Sequence, residues 1–235
     1  MADLEDSHWW FVARRRIIDT LITNLVLPDN AAIFEAGCGT GGNLAMLAGH
    51  GQVYAMELDE AARRFACDLG VGKILPGRLP DDIPFEDQSF DLIVLLDVLE
   101  HLDKDTASLQ ALYSRLKPGG WLLVTVPANP WMWSQHDESH HHKRRYVLRG
   151  LRHVVRSAGY TVRYVSYFNT LLFPLIAGVR ILQNCLGSGQ KDNLTMPSKQ
   201  VNQVLTFLFA SERYLMGRVP LPFGVSLLLL AQNVK

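Results

Sequence analysis

The sequence has little cysteine, and the three cysteines that it has lie far apart. Cys38, Cys67 and Cys185 are odd in number and form no Cys-x-x-Cys pair. Disulfide-rich domains and zinc knuckles need paired, closely spaced cysteines. The pattern therefore argues against both classes and predicts a reducing, cytoplasmic location.

The chain also lacks an excess of charge of either sign, since Lys plus Arg and Asp plus Glu each number 23 in 235 residues. A neutral chain has no global attraction to nucleic acid, so we expect a small-molecule partner and no nucleic acid. The oligomeric state is not predicted.

Long apolar runs are missing as well. The most apolar stretch, residues 170–182, is too short to span a membrane and is interrupted by Pro174 and Arg180. The first ten residues have no apolar segment typical of a signal peptide. No transmembrane segment is predicted, while a peripheral membrane contact through residues 170–182 stays open.

What the sequence does contain is a regular alternation of apolar strand-like runs and helical segments. The near-continuous apolar runs at residues 90–96 and 121–127 are typical of parallel strands buried on both faces. The alternation predicts an α/β, Rossmann-like doubly wound sheet, with ligands at the carboxyl ends of the strands. Helices are expected over residues 9–25, 106–116, 148–158, 170–186 and 200–217.

The length and the 48% hydrophobic content suit one domain, residues 1–235. Within it we expect an N-terminal lid helix (residues 1–29), a core (30–169 and 223–235) and a helical cap inserted before the last strand (170–222). The polar connector at residues 187–199 is predicted to be a mobile loop.

A glycine-rich loop, EAGCGTGG, follows the first predicted strand. Gly37, Gly39 and Gly41 alternate, which lets the backbone turn sharply and approach a ligand closely. With Gly42 in place of Gly41, the same loop also satisfies the dinucleotide pattern GxGxxG, and a tight packing turn is a third interpretation.

Two acidic residues help to separate these interpretations. Glu35, just before the loop, would repel a pyrophosphate but attract an ammonium group. Glu57 ends the second predicted strand, where a carboxylate can accept hydrogen bonds from ribose hydroxyls. A ligand with a ribose, a positive charge and no phosphate therefore fits better than a nicotinamide dinucleotide.

Four segments in this order resemble class I S-adenosylmethionine-dependent methyltransferases. They are EAGCGTG, the strand-end Glu57, LPDDIPFEDQSFDLIVLLDVLEHL and LKPGGWLLVTVP. HWWFVARRR and HDE…RRY resemble a bacterial branch of the methyltransferase type 11 and 12 group. The resemblance covers about residues 30–165 and the final strand, and it implies a seven-stranded sheet whose last strand is antiparallel.

The resemblance also implies positions for the cofactor, S-adenosylmethionine. The three alternate glycines and Asp97 would lie near its methionine part, Glu57 would hold the ribose and Leu58 would lie against the adenine. Many relatives have an acidic residue where this chain has Arg78, and a main-chain contact near Leu79 would replace it. Trp10 and Arg14 of the lid helix either cover the cofactor or only pack against the core.

Methyl transfer needs an acceptor atom held in line with the methyl group and, for some acceptors, a base. His101, next to the fourth strand, is a candidate base, with a scaffold role as its alternative. The segment HDESHHHKRRY follows the fifth strand and would border the acceptor. His136, Asp137 and Tyr146 are its candidate catalytic residues, Arg145 would bind an anionic group of the acceptor or pair with Asp137, and Trp131 and Trp133 would wall the site.

The four histidines of that segment also suggest a metal site. Its three cations, Lys143, Arg144 and Arg145, would oppose a bound cation, so no metal is expected, and a wholly solvated loop is a further alternative. The sequence thus predicts methyl transfer to a small or medium-sized acceptor with an apolar body and a polar or anionic handle. The alternatives are a nicotinamide-dependent oxidoreductase and a non-catalytic cofactor-binding module.

Overall fold

The computed structural model describes residues 2–186 and 196–234, with side chains from residue 4 and not for residues 183–186. Its described strands form one sheet: β1 (Ala31–Ala36), β2 (Gly51–Glu57), β3 (Lys73–Pro76), β4 (Phe90–Leu96), β5 (Leu116–Pro127), β6 (Thr161–Phe168) and β7 (Ser226–Gln232). The strand order is β3-β2-β1-β4-β5-β7-β6, and β7 runs antiparallel to both of its neighbours. The predicted fold is confirmed.

The described helices connect and flank these strands. They are α1 (Ala2–Glu5), α2 (Trp9–Thr23), α3 (Leu44–Ala48), α4 (Glu60–Asp68), α5 (Asp105–Tyr113), α6 (Gln135–Ser139), α7 (Leu148–Ser157), α8 (Phe173–Leu186) and α9 (Lys199–Ser211). α5 ends three residues before the predicted Leu116, because Leu116 already pairs with Phe90 in the sheet. α9 also ends early and passes into a 3-10 turn, Glu212–Tyr214.

Apolar side chains on the two faces of the sheet form two cores. On one face Phe34 stacks on Phe90, with ring centroids 4.8 Å apart, and α5 and α7 pack over them. On the other face Ile33 and Leu92 contact side chains of α2, α3 and α9. Because both faces are covered, the carboxyl edge of β1, β2, β4 and β5 is where the parallel strands leave room for a ligand.

The N-terminal helix α2 and the helix α9 hold each other. The Asn202 side chain accepts a hydrogen bond from Trp9 N and donates one to Ser7 O, both at 2.8 Å. The Trp10 ring stacks on Phe209 at 5.2 Å and on Phe168 at 6.3 Å. Both α8 and α9 lie between β6 and β7 in the chain, where the cap was expected.

Two further sequence predictions concern the connector before α9 and the length of the helices. Most of the connector predicted as a mobile loop, residues 187–195, lies outside the described residues. Among the described helices, none combines the length and the apolar character needed to cross a membrane.

Candidate active site

The glycine loop after β1 has a backbone that requires glycine. Gly37, Gly39 and Gly41 have φ angles of 80°, 55° and 91°. A Cβ at Gly37 would lie 2.9 Å from Val98 Cγ2, and one at Gly41 would lie 2.7 Å from Leu69 Cδ1. The loop is therefore both left-handed and closely packed, which explains the sequence pattern.

Glu57 at the end of β2 is fixed against this loop. Its Oε2 accepts a hydrogen bond from Gly39 N, and its Oε1 accepts one from Asp59 N, both at 2.8 Å. Each carboxylate oxygen can accept a second hydrogen bond. Glu57 is thus held in place while it keeps acceptor capacity for a ligand hydroxyl.

Glu35 lies beneath the loop, fully buried. Its Oε1 accepts a hydrogen bond from Asn43 Nδ2 at 2.9 Å, whereas its Oε2 has no hydrogen-bond partner among the described residues. Burial raises the pKa of Glu35 to about 7, and the Asn43 hydrogen bond and the Arg14 charge limit this rise. Glu35 does not line the cavity described below, so its predicted contact with the cofactor stays a prediction.

Asp97 directly follows β4 in a left-handed conformation, with φ at 58°. Thr125 fixes it, since Thr125 Oγ1 accepts from Asp97 N at 3.1 Å and donates to Asp97 Oδ1 at 2.9 Å. Arg14 Nη1 of α2 lies 3.1 Å from Asp97 Oδ2. The other Arg14 donors, Nε and Nη2, are buried without a hydrogen-bond partner in the described part of the chain. Unpaired guanidinium donors of this kind suit a carboxylate.

These groups surround a cavity of about 1150 Å³ at the carboxyl edge of the sheet. Eleven of the predicted site residues line it: Trp10, Arg14, Gly37, Gly39, Glu57, Leu58, Leu79, Asp97, His101, His136 and Arg145. Small-molecule pockets commonly measure roughly 300–1,000 Å³, so this cavity has room for a cofactor and an acceptor together.

The side chains that line this cavity fit the S-adenosylmethionine that the sequence implies. The two unpaired donors of Arg14, Nε and Nη2, would hold the carboxylate of its methionine part, and Glu57 would hold the ribose. Leu58 is 65% exposed and Leu79 is 8% exposed, and both present apolar surface where an adenine was expected. The cofactor supplies a methyl group activated on a sulfonium.

Asp137 and Arg145 form a buried ion pair. Arg145 Nε donates to Asp137 Oδ1 at 2.8 Å, and Arg145 Nη2 donates to Asp137 Oδ2 at 2.9 Å. Burial by itself would raise the pKa of Asp137, but hydrogen bonds from His142 and Arg145 hold it well below its usual range. Of the two roles predicted for Arg145, the structure shows the pair with Asp137. Asp137 does not line the cavity, which differs from the catalytic contact predicted for it.

Three further predicted residues also lie away from the cavity. Tyr146 is buried and donates to Asp105 Oδ2 at 2.9 Å, and burial, then the Asp105 charge, raises the pKa of its hydroxyl. Trp131 is 51% exposed and meets Phe173 of α8 edge to face at 6.2 Å. Trp133 is half-buried outside the lining. The structure places these side chains in packing positions, so the base and wall roles predicted for them have no geometric support.

The cations of HDESHHHKRRY are each paired with a carboxylate. Lys143 Nζ lies 3.6 Å from Asp103 Oδ1, and Arg144 Nη1 lies 3.0 Å from Asp105 Oδ2. Arg145 is held by Asp137, whose Oδ1 also lies 2.9 Å from His142 Nδ1. This pairing weakens the repulsion that the sequence suggested between the three cations and a bound metal ion, and Arg145 stays beside His142.

Four histidines instead gather at the cavity wall. The His101 and His142 ring centroids lie 4.7 Å apart, and those of His136 and His140 lie 4.3 Å apart. Burial and, next, the charge of His142 lower the pKa of His101 to about 4, so its ring is neutral at pH 7. Beside them lies Glu100, which is fully buried and lines the cavity. Glu100 is not among the predicted site residues, although its place between Asp97 and His101 was a usable signal.

Comparisons with known proteins agree with this geometry. The chain matches the family described as a methyltransferase domain over residues 10–165. It is 30% identical over 188 residues to the malonyl-[acyl-carrier protein] O-methyltransferase of Enterobacter lignolyticus, covering 75% of this chain and 71% of that protein. It is 29% identical to a probable tRNA methyltransferase 9B of Bos taurus, over 49% of this chain and 24% of that protein.

Among solved structures, a putative methyltransferase from Bacillus halodurans superposes with a TM-score of 0.64 at 16% identity, over 93% of this chain and 99% of that one. The chain spans between 24% and 48% of the length of several curated relatives. The nicotinamide and non-catalytic alternatives find no support in these matches. With a family match across two thirds of its length, the glycine loop and the fold in agreement, the chain belongs to the class I S-adenosylmethionine-dependent methyltransferases.

Proposed function

We propose that this protein methylates a small or medium-sized acceptor that has an apolar body and a polar or anionic handle. The observation that supports the proposal is the mixed character of the cavity lining. The glycine loop, Glu57 and Arg14 account for the cofactor, and the remaining lining residues include both apolar side chains and several histidines.

Apolar lining comes from the N-terminal helix, the cap and the turn after β4. The residues are Phe11 of α2, Ile176 of α8 and Leu102. Burial of an acceptor's apolar body against such side chains contributes roughly 25 cal/mol per Å² of apolar area. An acceptor without an apolar body would gain nothing from this wall.

Polar lining comes from the turn after β4, the segment after β5 and the cap. The residues are His101, His136 and Arg180 of α8. His101 follows Asp97 by four positions, next to the predicted position of the methyl group. We infer that the handle of the acceptor binds here, and His101 remains the predicted base for an acceptor that must lose a proton.

Calorimetry with S-adenosylhomocysteine, with NADH as the control ligand, tests the cofactor half of the proposal. Turnover is then followed as S-adenosylhomocysteine formed in the presence of amphiphilic carboxylates, phenols and amines, with short polar analogues as the matched set. Activity confined to acceptors with an apolar body supports the proposal. Equal activity on the short analogues, or on tRNA alone, contradicts it.

Two variants separate the acceptor side from the cofactor side. We expect His136→Ala to lower turnover at least tenfold while the affinity for S-adenosylhomocysteine changes less than threefold. His153→Ala on the exposed face of α7 is the control and should leave both quantities unchanged. A loss of cofactor affinity in His136→Ala would mean that His136 contacts the cofactor and not the acceptor.

A cytoplasmic location stays a prediction.

A further inference from the structure

We propose that Glu100, His101 and His142 form a binding site for a divalent transition-metal ion in the wall of the methyl-transfer cavity. One ligand atom from each side chain lies within 4.8 Å of the other two. All three residues line the cavity. The role of the ion toward the acceptor rests on the proposed function, whereas the site itself rests only on the geometry.

Glu100 is a buried carboxylate without a hydrogen-bond partner. Its side chain is 0% exposed, and neither carboxylate oxygen has a hydrogen-bond partner among the described residues. A buried carboxylate with no partner is costly, and proteins compensate for it with a paired charge, hydrogen bonds or a metal. His101 and His142 each offer a ligand atom within 4.8 Å of one of its oxygens. A cation bound between the three groups would compensate the buried carboxylate.

Asp137 fixes the orientation of the His142 ring. Asp137 Oδ1 lies 2.9 Å from His142 Nδ1, and Asp137 is itself fixed by two hydrogen bonds from Arg145. With the Nδ1 hydrogen donated to Asp137, the lone pair of Nε2 is left for a ligand. Carboxylates behind metal-bound histidines commonly fix the tautomer and the ring orientation in this way. The buried Asp137–Arg145 pair therefore holds His142 in a fixed orientation.

A backbone hydrogen bond joins the two segments that carry the ligands. Lys143 N donates to Glu100 O at 2.8 Å, so the residue after His142 is tied to the residue before His101. The His101 ring meets the His142 ring edge to face at 4.7 Å. Side chains of His136 and His140 lie next in line, with ring centroids about 6 Å from that of His142. The site is therefore built by tertiary structure and is not a property of one loop.

The ligand set indicates the class of ion. Two imidazoles and one carboxylate suit Zn²⁺ and Fe²⁺ better than Mg²⁺ or Ca²⁺, which prefer oxygen ligands alone. Three protein ligands leave coordination positions for another group, as in catalytic rather than structural zinc sites. In the cavity, that group is the polar handle of the acceptor. His101 then serves as a ligand instead of the base predicted for it.

The test measures metal binding in the absence of cofactor and acceptor. Protein stripped with a chelator is titrated with ZnCl₂ by calorimetry, and the bound metal is counted by elemental mass spectrometry after dialysis. We expect one equivalent of Zn²⁺ per chain. His142→Ala and His101→Ala should each weaken binding at least tenfold, and the conservative Glu100→Gln should do so while circular dichroism shows a folded chain. His153→Ala should bind like the unaltered protein.

Stoichiometric binding that survives both His101→Ala and His142→Ala would overturn the site, as would binding of less than 0.1 equivalent to the unaltered protein. The S-adenosylhomocysteine titration separates this result from the proposed function. If cofactor binding and turnover persist in protein that takes up no Zn²⁺, the metal site falls and the proposed function stands. If one equivalent of Zn²⁺ binds to a chain without methyl transfer, the site stands and the proposed function falls.

Discussion

Replacing Glu35 by glutamine should stabilise the protein and weaken its cofactor binding at the same time. The folded chain raises the pKa of this carboxyl from its ordinary value of 4.5 to about 7, chiefly by burial. Between these values the folded state retains a proton that the unfolded chain has lost, so stability falls as the pH rises through this window. The full difference is worth about 3 kcal/mol above pH 7.

Glu35→Gln keeps an oxygen for Asn43 and removes the titration. We expect the variant to be more stable than the unaltered protein by about 3 kcal/mol at pH 8 and by only about 1 kcal/mol at pH 5.5. Urea unfolding followed by circular dichroism without cofactor measures both values. Loss of the negative charge beneath the glycine loop should lower the affinity for S-adenosylhomocysteine about tenfold.

Glu212→Gln is the matched control, because Glu212 is also buried but is satisfied. Its carboxylate accepts hydrogen bonds from the backbone N–H groups of Asn169, Thr170 and Leu171, at 2.7 to 2.9 Å. An amide there would turn a donor toward donors, so this variant should be less stable than the unaltered protein by about 1–3 kcal/mol at pH 8. A Glu35→Gln variant that is less stable at pH 8, or whose advantage does not change with pH, would refute the reasoning.

Three further predictions concern the cofactor side and the cap. Arg14→Met should raise the dissociation constant of S-adenosylhomocysteine about 10- to 100-fold by calorimetry, while Arg16→Met on the exposed face of the same helix leaves it unchanged; equal effects would mean a general loss of helix packing. Gly37→Ala should lower cofactor affinity at least tenfold, because its methyl group would meet Val98 and its φ is 80°; unchanged affinity would show that the loop adapts. If residues 170–182 contact lipid, Leu175→Asp, at a side chain 63% exposed on α8, should abolish flotation with anionic vesicles and spare cofactor binding; flotation of neither protein would end the membrane hypothesis.

The fold and the cofactor side could be predicted because their signals are local. Apolar runs determine which segments form buried strands, and the glycines after β1 report a backbone that only glycine adopts easily. The end of α5 at Tyr113 was missed, because pairing of Leu116 with Phe90 overrides a continuing helical pattern.

The acceptor side could not be predicted from local signals. Whether Arg145 faces a ligand or Asp137 depends on the turn of α6, which brings the two side chains together inside the protein. Glu100 comes beside His142 through a backbone hydrogen bond from Lys143 N to Glu100 O, which joins segments far apart in the chain. Lys143, Arg144 and Arg145 are adjacent in the sequence, but in the folded chain each pairs with a different carboxylate.

The position of β7 has a consequence for how the protein is made. This strand lies between β5 and β6 in the sheet, yet it is the last of the three to leave the ribosome. Until residue 232 emerges, β5 and β6 cannot join one sheet, and α2 cannot dock on α9 until residue 202 is available. Such non-local pairing slows folding and leaves apolar strand edges open to other chains. The cofactor cavity, which Val225 and Ser226 help to line, is likewise completed only after β7 has been synthesised.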